Sequence, residues 1–216
     1  MIYLSDNWET FTHNGKTYAA RLERDDDHGA PWIEECGHGP VTGWERRDKL
    51  PGELVLNADR GAKRFYDFQE ACKIARRDGW SFLPGELVTD RFAHSGKRKF
   101  RAYVARPDPG FLDLLAYGPD INSATRSLYA MHRATMTPRQ YAAEAARRDY
   151  ERMRQWCNDI WFYVGVIVAP VCPCCDEIDE SESRSLWSIE SDAGDYLQEV
   201  ARELADEIGS EKARAA

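Results

Sequence analysis

Nowhere in these 216 residues does an apolar run approach the roughly 20 residues that a membrane-crossing helix needs. The longest, Ile160 to Val171, is interrupted by Gly165 and Pro170 and reads as a strand. The start, MIYLSDNWETFTHNGK, lacks the basic and apolar regions of a secretory signal. Missing too are a His pair at helical spacing, a nucleophile elbow and a phosphate-cradling Gly loop, so no familiar catalytic motif is visible. The six cysteines are unevenly spaced, which argues for reduced thiols rather than a disulfide framework. Together these absences predict a cytoplasmic protein with no membrane partner, more readily a non-enzyme than an enzyme.

What is present is enough to fold. Hydrophobic residues make up 43% and aromatic residues 12% of the chain, sufficient apolar surface to offset chain entropy. At this length the expectation is a single domain over 1–216. The net charge of −8 is unevenly spread. Residues 1–175 hold 25 Lys and Arg against 24 Asp and Glu, whereas residues 176–216 hold 4 against 13. Within the first part, residues 46–106 carry 15 basic against 8 acidic residues, so the isoelectric point of the whole chain conceals two opposite regions.

Local patterns predict an α+β fold: a small antiparallel sheet of hairpins packed against two or three helices, with an irregular central insertion at 81–136. Asn14-Gly15 is the dipeptide a type I′ turn demands, and alternating residues flank it. Glu53 to Asn57 is a short strand candidate. Asp67 with Glu70, then Gly79, bracket a helix at about 67–78. Pro84, Pro107, Pro109, Gly110 and Pro119 make 81–136 the least regular segment, with a brief helix expected near Gly110 to Tyr117. The hexapeptide Leu-Pro-Gly-Glu-Leu-Val occurs at both 50–55 and 83–88, consistent with a local duplication of a turn and strand or with coincidence. Thr137-Pro138-Arg139-Gln140 opens a long helix running to about Asn158. Strands at 161–169 and 185–190 should then pair antiparallel, and Asp192 should cap a last helix burying Tyr196, Leu197, Val200, Leu204 and Ile208.

The runs Trp44-Glu45-Arg46-Arg47-Asp48-Lys49-Leu50-Pro51-Gly52-Glu53, Arg64-Phe65-Tyr66-Asp67-Phe68-Gln69-Glu70-Ala71 and Trp156-Cys157-Asn158-Asp159, with Tyr163-Val164-Gly165-Val166, carry a resemblance. So do Leu186-Trp187-Ser188-Ile189-Glu190-Ser191 and Asp195-Tyr196. In these the chain resembles an uncharacterised family of tailed-phage and prophage proteins of proteobacteria, over roughly the first 80 and last 80 residues. It departs from that pattern at 81–136 and at the cysteine cluster. The family brings no known activity; the resemblance implies a phage context, and so the host cell cytoplasm, rather than a chemistry.

Three sets of residues are candidates for function. The acidic residues Glu190, Asp192, Asp195, Glu199, Glu203, Asp206 and Glu207 are either the wet side of an amphipathic helix or a negative surface that recruits a basic partner. Arg46, Arg47, Lys63, Arg64, Lys97, Arg98 and Lys99, interleaved with aromatics, have the composition of a single-strand nucleic-acid surface, or of a solvated face. Cys172 and Cys175 have knuckle spacing for zinc, with Cys36 and His38, or Cys157 and Cys174, as the distant second pair, although no second C-x-x-C is present. The acidic residues just after that motif should raise its thiol pKa values. Charge asymmetry and resemblance favour a non-enzymatic phage accessory protein that binds and modulates a host or phage protein, such as an anti-defence inhibitor acting through the acidic surface. Nucleic-acid binding through 46–103 is the alternative, and a zinc-stabilised module or metal-dependent enzyme the second. No cofactor other than zinc is indicated, and oligomeric state is not written in the sequence.

Overall fold

Asn14 (φ 48°) and Gly15 (φ 76°) both take left-handed backbone, the geometry of a type I′ turn, and so close the first hairpin. It consists of β1 (Glu9–His13) and β2 (Lys16–Arg24), paired from Glu9↔Ala20 to His13↔Lys16. The computed structural model describes residues 4–83, 86–94, 97–105 and 115–215. It divides the chain into two units, one of Met1–Glu34 with Gln155–Ala216 and the other of Glu35–Arg154. The sequence had pointed to one domain with an insertion at 81–136; the division falls at other positions.

In the first unit, the hairpin is followed by a four-residue helix, α1 (Pro31–Glu34). The remaining strands and the last helix come from the other end of the chain. Tyr163–Pro170 and Arg184–Glu190 form two strands that complete a four-stranded antiparallel sheet with β1 and β2. The former lies between β2 and the latter, with Ala20 opposite Val168 and Leu22 opposite Val166, and every one of its residues is buried. The final helix, Asp195–Ala215, covers one face of this sheet. Leu197, Val200, Ala201, Leu204, Ala205 and Ile208 pack there against Phe11, Tyr18, Ala20, Val164, Val166, Val168 and Ile189. At roughly 25 cal/mol per Å² of apolar surface buried, this packing stabilises the unit.

In the second unit, β3 (Glu53–Asp59) and β4 (Ala62–Asp67) form a hairpin around Arg60 (φ 45°) and Gly61 (φ 80°). Helix α2 (Phe68–Asp78) follows at once. The Asp67 side chain accepts the Glu70 N–H, and Gly79 turns left-handed (φ 69°) with its N–H on the Ala75 carbonyl, so both ends are capped as the sequence predicts. A three-stranded sheet comes next: β5 (Glu86–His94), β6 (Lys97–Ala105) and β7 (Leu115–Gly118), in that order. Helix α3 (Ile121–Ala134) packs on it, burying Ala124 and Leu128 against Ala102, Val104 and Ala116. Helix α4 (Pro138–Cys157) begins at a reciprocal cap, Thr137 N–H to Gln140 Oε1 at 3.1 Å and Gln140 N–H to Thr137 Oγ1 at 3.3 Å. Its Tyr141, Ala142 and Ala145 bury Ala75 of α2 and Phe82. In chain order the strands Tyr163–Pro170 and Arg184–Glu190 are β8 and β9, and the last helix is α5.

The α+β class stands: small open antiparallel sheets with helices on them. The expected irregularity of 81–136 does not, because that segment carries three strands and a 14-residue helix. Phe100, Ala102 and Val104 alternate along β6, but Lys97, Arg98, Lys99 and Arg101 hid the period in a basic run. The helix expected near Gly110 to Tyr117 falls partly outside the described residues, and from Leu115 the chain is strand. Both Glu-Leu-Val copies open the first strand of an antiparallel pair, although Leu50 is exposed and Leu83 buried. Among the described residues no helix is long and apolar enough to cross a membrane.

Candidate functional site

The acidic residues of α5 lie on one side of it. At 100° per residue, Asp195, Glu199, Glu203, Asp206 and Glu207 fall within about 120° of arc, opposite the buried stripe; all five are exposed. Asp192 is exposed in the turn before the helix and Glu190 is half-buried at the end of β9. The helix starts at Asp195, not at a cap on Asp192. Asp206 is engaged by the first hairpin, 2.8 Å from His13 Nε2 and accepting from Asn14 Nδ2 at 2.8 Å. Asp195, Glu199, Glu203 and Glu207 give this side of α5 a negative face whose repulsion a cationic partner would relieve.

Tyr196 belongs to this face. It was expected inside, yet it is 51% exposed, because Ala201 and Ala205 carry the buried stripe and rotate it away from position 196. Beside it runs β9, an edge strand of the sheet, with Leu186 and Trp187 also exposed. These three residues, with Ser188, Ile189 and Ala193, line a shallow groove that Glu190 borders. A register shift between Val164 and Val166 and the left-handed backbone of Ser188 (φ 64°) set the local shape. The Ser188 N–H is held by Asp25 Oδ2 at 3.2 Å, and the Trp187 indole N–H by Ser185 Oγ at 3.0 Å. The indole covers Gly165, where an added Cβ would overlap the ring. Alternation along 185–190 gives strand but not this exposure, which follows from β9 having, among the described residues, a neighbouring strand on one side alone.

A second candidate site is the loop between β8 and β9. The sulfurs of Cys172, Cys174 and Cys175 all lie within 4.8 Å of one another, with Cys172 Sγ 2.8 Å from Cys174 Sγ, so the group could hold a metal such as zinc. Cys174 joins Cys172 and Cys175 in this group. Cys36 and His38 belong to the other unit, and His38 Nδ1 is bonded to Asp149. The acidic neighbours do not raise the Cys172 thiol as expected: hydrogen bonds from the Cys174 side chain and backbone, then from Cys175, bring it down to about 7, while Cys174 shifts up in turn. A cleft of about 340 Å³ opens alongside, lined in part by Lys16, Tyr18, Val171, Cys172, Asp176 and Ile208.

In the second unit the central polar feature is Asp149, whose side chain is 8% exposed. It accepts from His38 Nδ1 at 2.6 Å, Gly39 N–H at 2.8 Å and Tyr66 OH at 2.5 Å, tying the loop at 38–39 and β4 to α4. Burial, then the Asp149 charge, hold the Tyr66 hydroxyl protonated well above its ordinary range. Burial opposes the His38 imidazolium, but Asp149 and then Glu35, 3.6 Å from Nε2, outweigh it and raise the pKa above 6.5. This arrangement is a fastening, with the donors directed at one carboxylate. Sequence reading missed it because its members are scattered between residues 38 and 149.

The basic segment is partly neutralised from within. Arg47 makes a two-pronged contact with Glu53, at 2.6 and 2.8 Å, pairs with Glu45 and lies over the Phe65 ring. Arg64 stacks on Trp44 at 4.8 Å, and Lys63 is 3.9 Å from Asp48. Arg46 and Lys99 are exposed, and the side chains of Lys97 and Arg98 fall outside the described residues. Near the end of β2 the contacts are structural: Asp25 caps the His28 N–H at 3.2 Å, Asp26 pairs with Arg24, and the His28 ring rests on Tyr163.

No family model, curated protein or solved structure matches this chain.

Proposed function

We propose that this chain is a non-enzymatic binding protein that docks a basic surface of a host or phage protein through the acidic face of α5 and the groove beside it. The observation that carries the reading is that three exposed apolar residues, Leu186, Trp187 and Tyr196, line one groove with Glu190, and that Tyr196 stands on α5 next to its acidic face. Aromatic anchors inside a charged rim are the usual anatomy of a binding site: the anchors contribute affinity, and the rim contributes orientation and encounter rate. The resemblance to phage and prophage proteins points to a partner encountered in the host cytoplasm, a defence or nucleic-acid-handling enzyme being the kind whose cationic groove such a face would block. Arg47, enclosed by two carboxylates, favours this over nucleic-acid binding by the basic segment.

The test is affinity capture from host lysate with the wild-type chain and with a triple reversal, Glu199→Lys, Glu203→Lys and Glu207→Lys. The reading expects a discrete partner that the wild type retains and the reversal loses. Retention by the reversal, or a salt-sensitive gel shift with single-stranded DNA or RNA in place of a protein partner, would overturn it.

A further inference from the structure

The loop between β8 and β9 has no part in the partner-binding reading, yet it gathers three thiols within four residues. Its backbone holds them in place. The Cys172 N–H donates to the Glu177 carbonyl at 2.8 Å, the Asp176 N–H returns to the Cys172 carbonyl at 2.9 Å, and Val171 bridges to Ile178. Asp176 turns left-handed (φ 58°) to close the loop, and Pro173 stiffens it between the first two thiols. The ring of three sulfurs is thus presented by a hydrogen-bonded turn, with Cys174 and Cys175 exposed to solvent.

We propose that Cys172, Cys174 and Cys175 bind one zinc(II) ion, with the Glu177 carboxylate as fourth ligand. Thiolates about 2.3 Å from a tetrahedral zinc lie about 3.8 Å from one another, a spacing that sulfurs already within 4.8 Å reach by small side-chain rotations. Glu177 carries a nearby carboxylate, its Oε2 3.6 Å from Cys175 Sγ though outside the 4.8 Å group that the three sulfurs form, and reaches the fourth position by rotation of its side chain. Four protein ligands make a closed site, structural rather than hydrolytic, since no position is left for a reactive water. On binding, each of the three thiols gives its proton to solvent and each sulfur donates an electron pair to the metal; nothing is oxidised or reduced. The acidic residues Asp176, Asp179 and Glu180 around the loop favour a divalent cation there.

Cobalt(II) titration of the reduced, metal-free chain is the experiment. The expected result is one cobalt per chain, with sulfur-to-cobalt charge-transfer absorption, d–d bands of tetrahedral intensity, and displacement of the cobalt by zinc. Cys174→Ser and Cys175→Ser should each weaken binding by more than about 10-fold, and Glu177→Gln by about 10-fold with the charge-transfer band kept. Cys36→Ser should leave the titration unchanged. Far-ultraviolet circular dichroism confirms that each variant is folded, which the exposure of the loop favours. Absence of the charge-transfer band in the wild type, an identical titration in Cys174→Ser, or loss of two hydrogens by mass in place of metal uptake, marking a Cys172–Cys174 disulfide, would each overturn the proposal.

Discussion

The indole of Trp187 lies directly over Gly165 of the neighbouring strand, so close that residue 165 has no room for a Cβ. The contact holds the largest anchor of the groove against the sheet while leaving it 40% exposed. Gly165→Val should therefore displace the indole and cost about 1–3 kcal/mol of stability. The measurement is denaturant unfolding together with tryptophan emission. Trp187→Ala, by contrast, should leave stability changed by about 1 kcal/mol or less while removing partner binding.

Reversing Glu199, Glu203 and Glu207 to Lys should leave the fold intact, each change being worth roughly 0.5 kcal/mol or less, because these side chains face water. Association should be what suffers. Partner on-rate measured by stopped flow should fall steeply with added salt in the wild type and lose that dependence in the triple reversal.

The face opposite is the one stability depends on. Leu204 is 6% exposed and packs α5 onto the sheet, so Leu204→Ala should cost about 2–5 kcal/mol in equilibrium unfolding. A smaller loss would mean that α5 is not seated on the strands as described.

Asp149 receives three donors, and Asp149→Ala should cost about 3 kcal/mol by leaving the Gly39 N–H without its acceptor and Tyr66 OH with only the Ala146 carbonyl at 3.3 Å. The His38 contact adds a pH dependence with a definite sign. Its folded pKa is raised, so its contribution to stability is fully present below the ordinary value of 6.5 and is lost as pH rises through the higher folded value. Unfolding free energy measured between pH 5 and 9 should show this loss in the wild type and lack it in His38→Gln. An unchanged profile in that variant would contradict the assignment.

Legibility in the sequence followed the range of the forces involved. Asn14-Gly15, the Asp67 cap with Gly79, and Thr137 with Gln140 are local rules, and each element they predict is present with the predicted hydrogen bond or backbone angle. The strand β6 was hidden because its alternating Phe100, Ala102 and Val104 sit in a run of cations. Long-range geometry was out of reach in the same way: the convergence of His38, Tyr66 and Asp149 depends on tertiary packing. Of the candidate site, the acidic stripe of α5 was legible from helical spacing, but the exposed Tyr196, Leu186 and Trp187 were not. Their exposure depends on which alanines fill the core side of α5 and on β9 lying at the sheet edge. Cys172, Cys174 and Cys175 were legible as candidate ligands, but not that the three sulfurs form one group, which the turn through Asp176 sets.

The central claim, a partner seated on the Trp187 and Tyr196 groove, is tested most directly by photo-crosslinking in cells. A photoreactive side chain replaces Trp187, or Tyr196, or the exposed Arg76 of α2 as a control. The account predicts one discrete crosslinked species from positions 187 and 196, none from position 76, and its loss when Glu199, Glu203 and Glu207 are reversed. No species from 187 and 196, or equal capture from position 76, would contradict it.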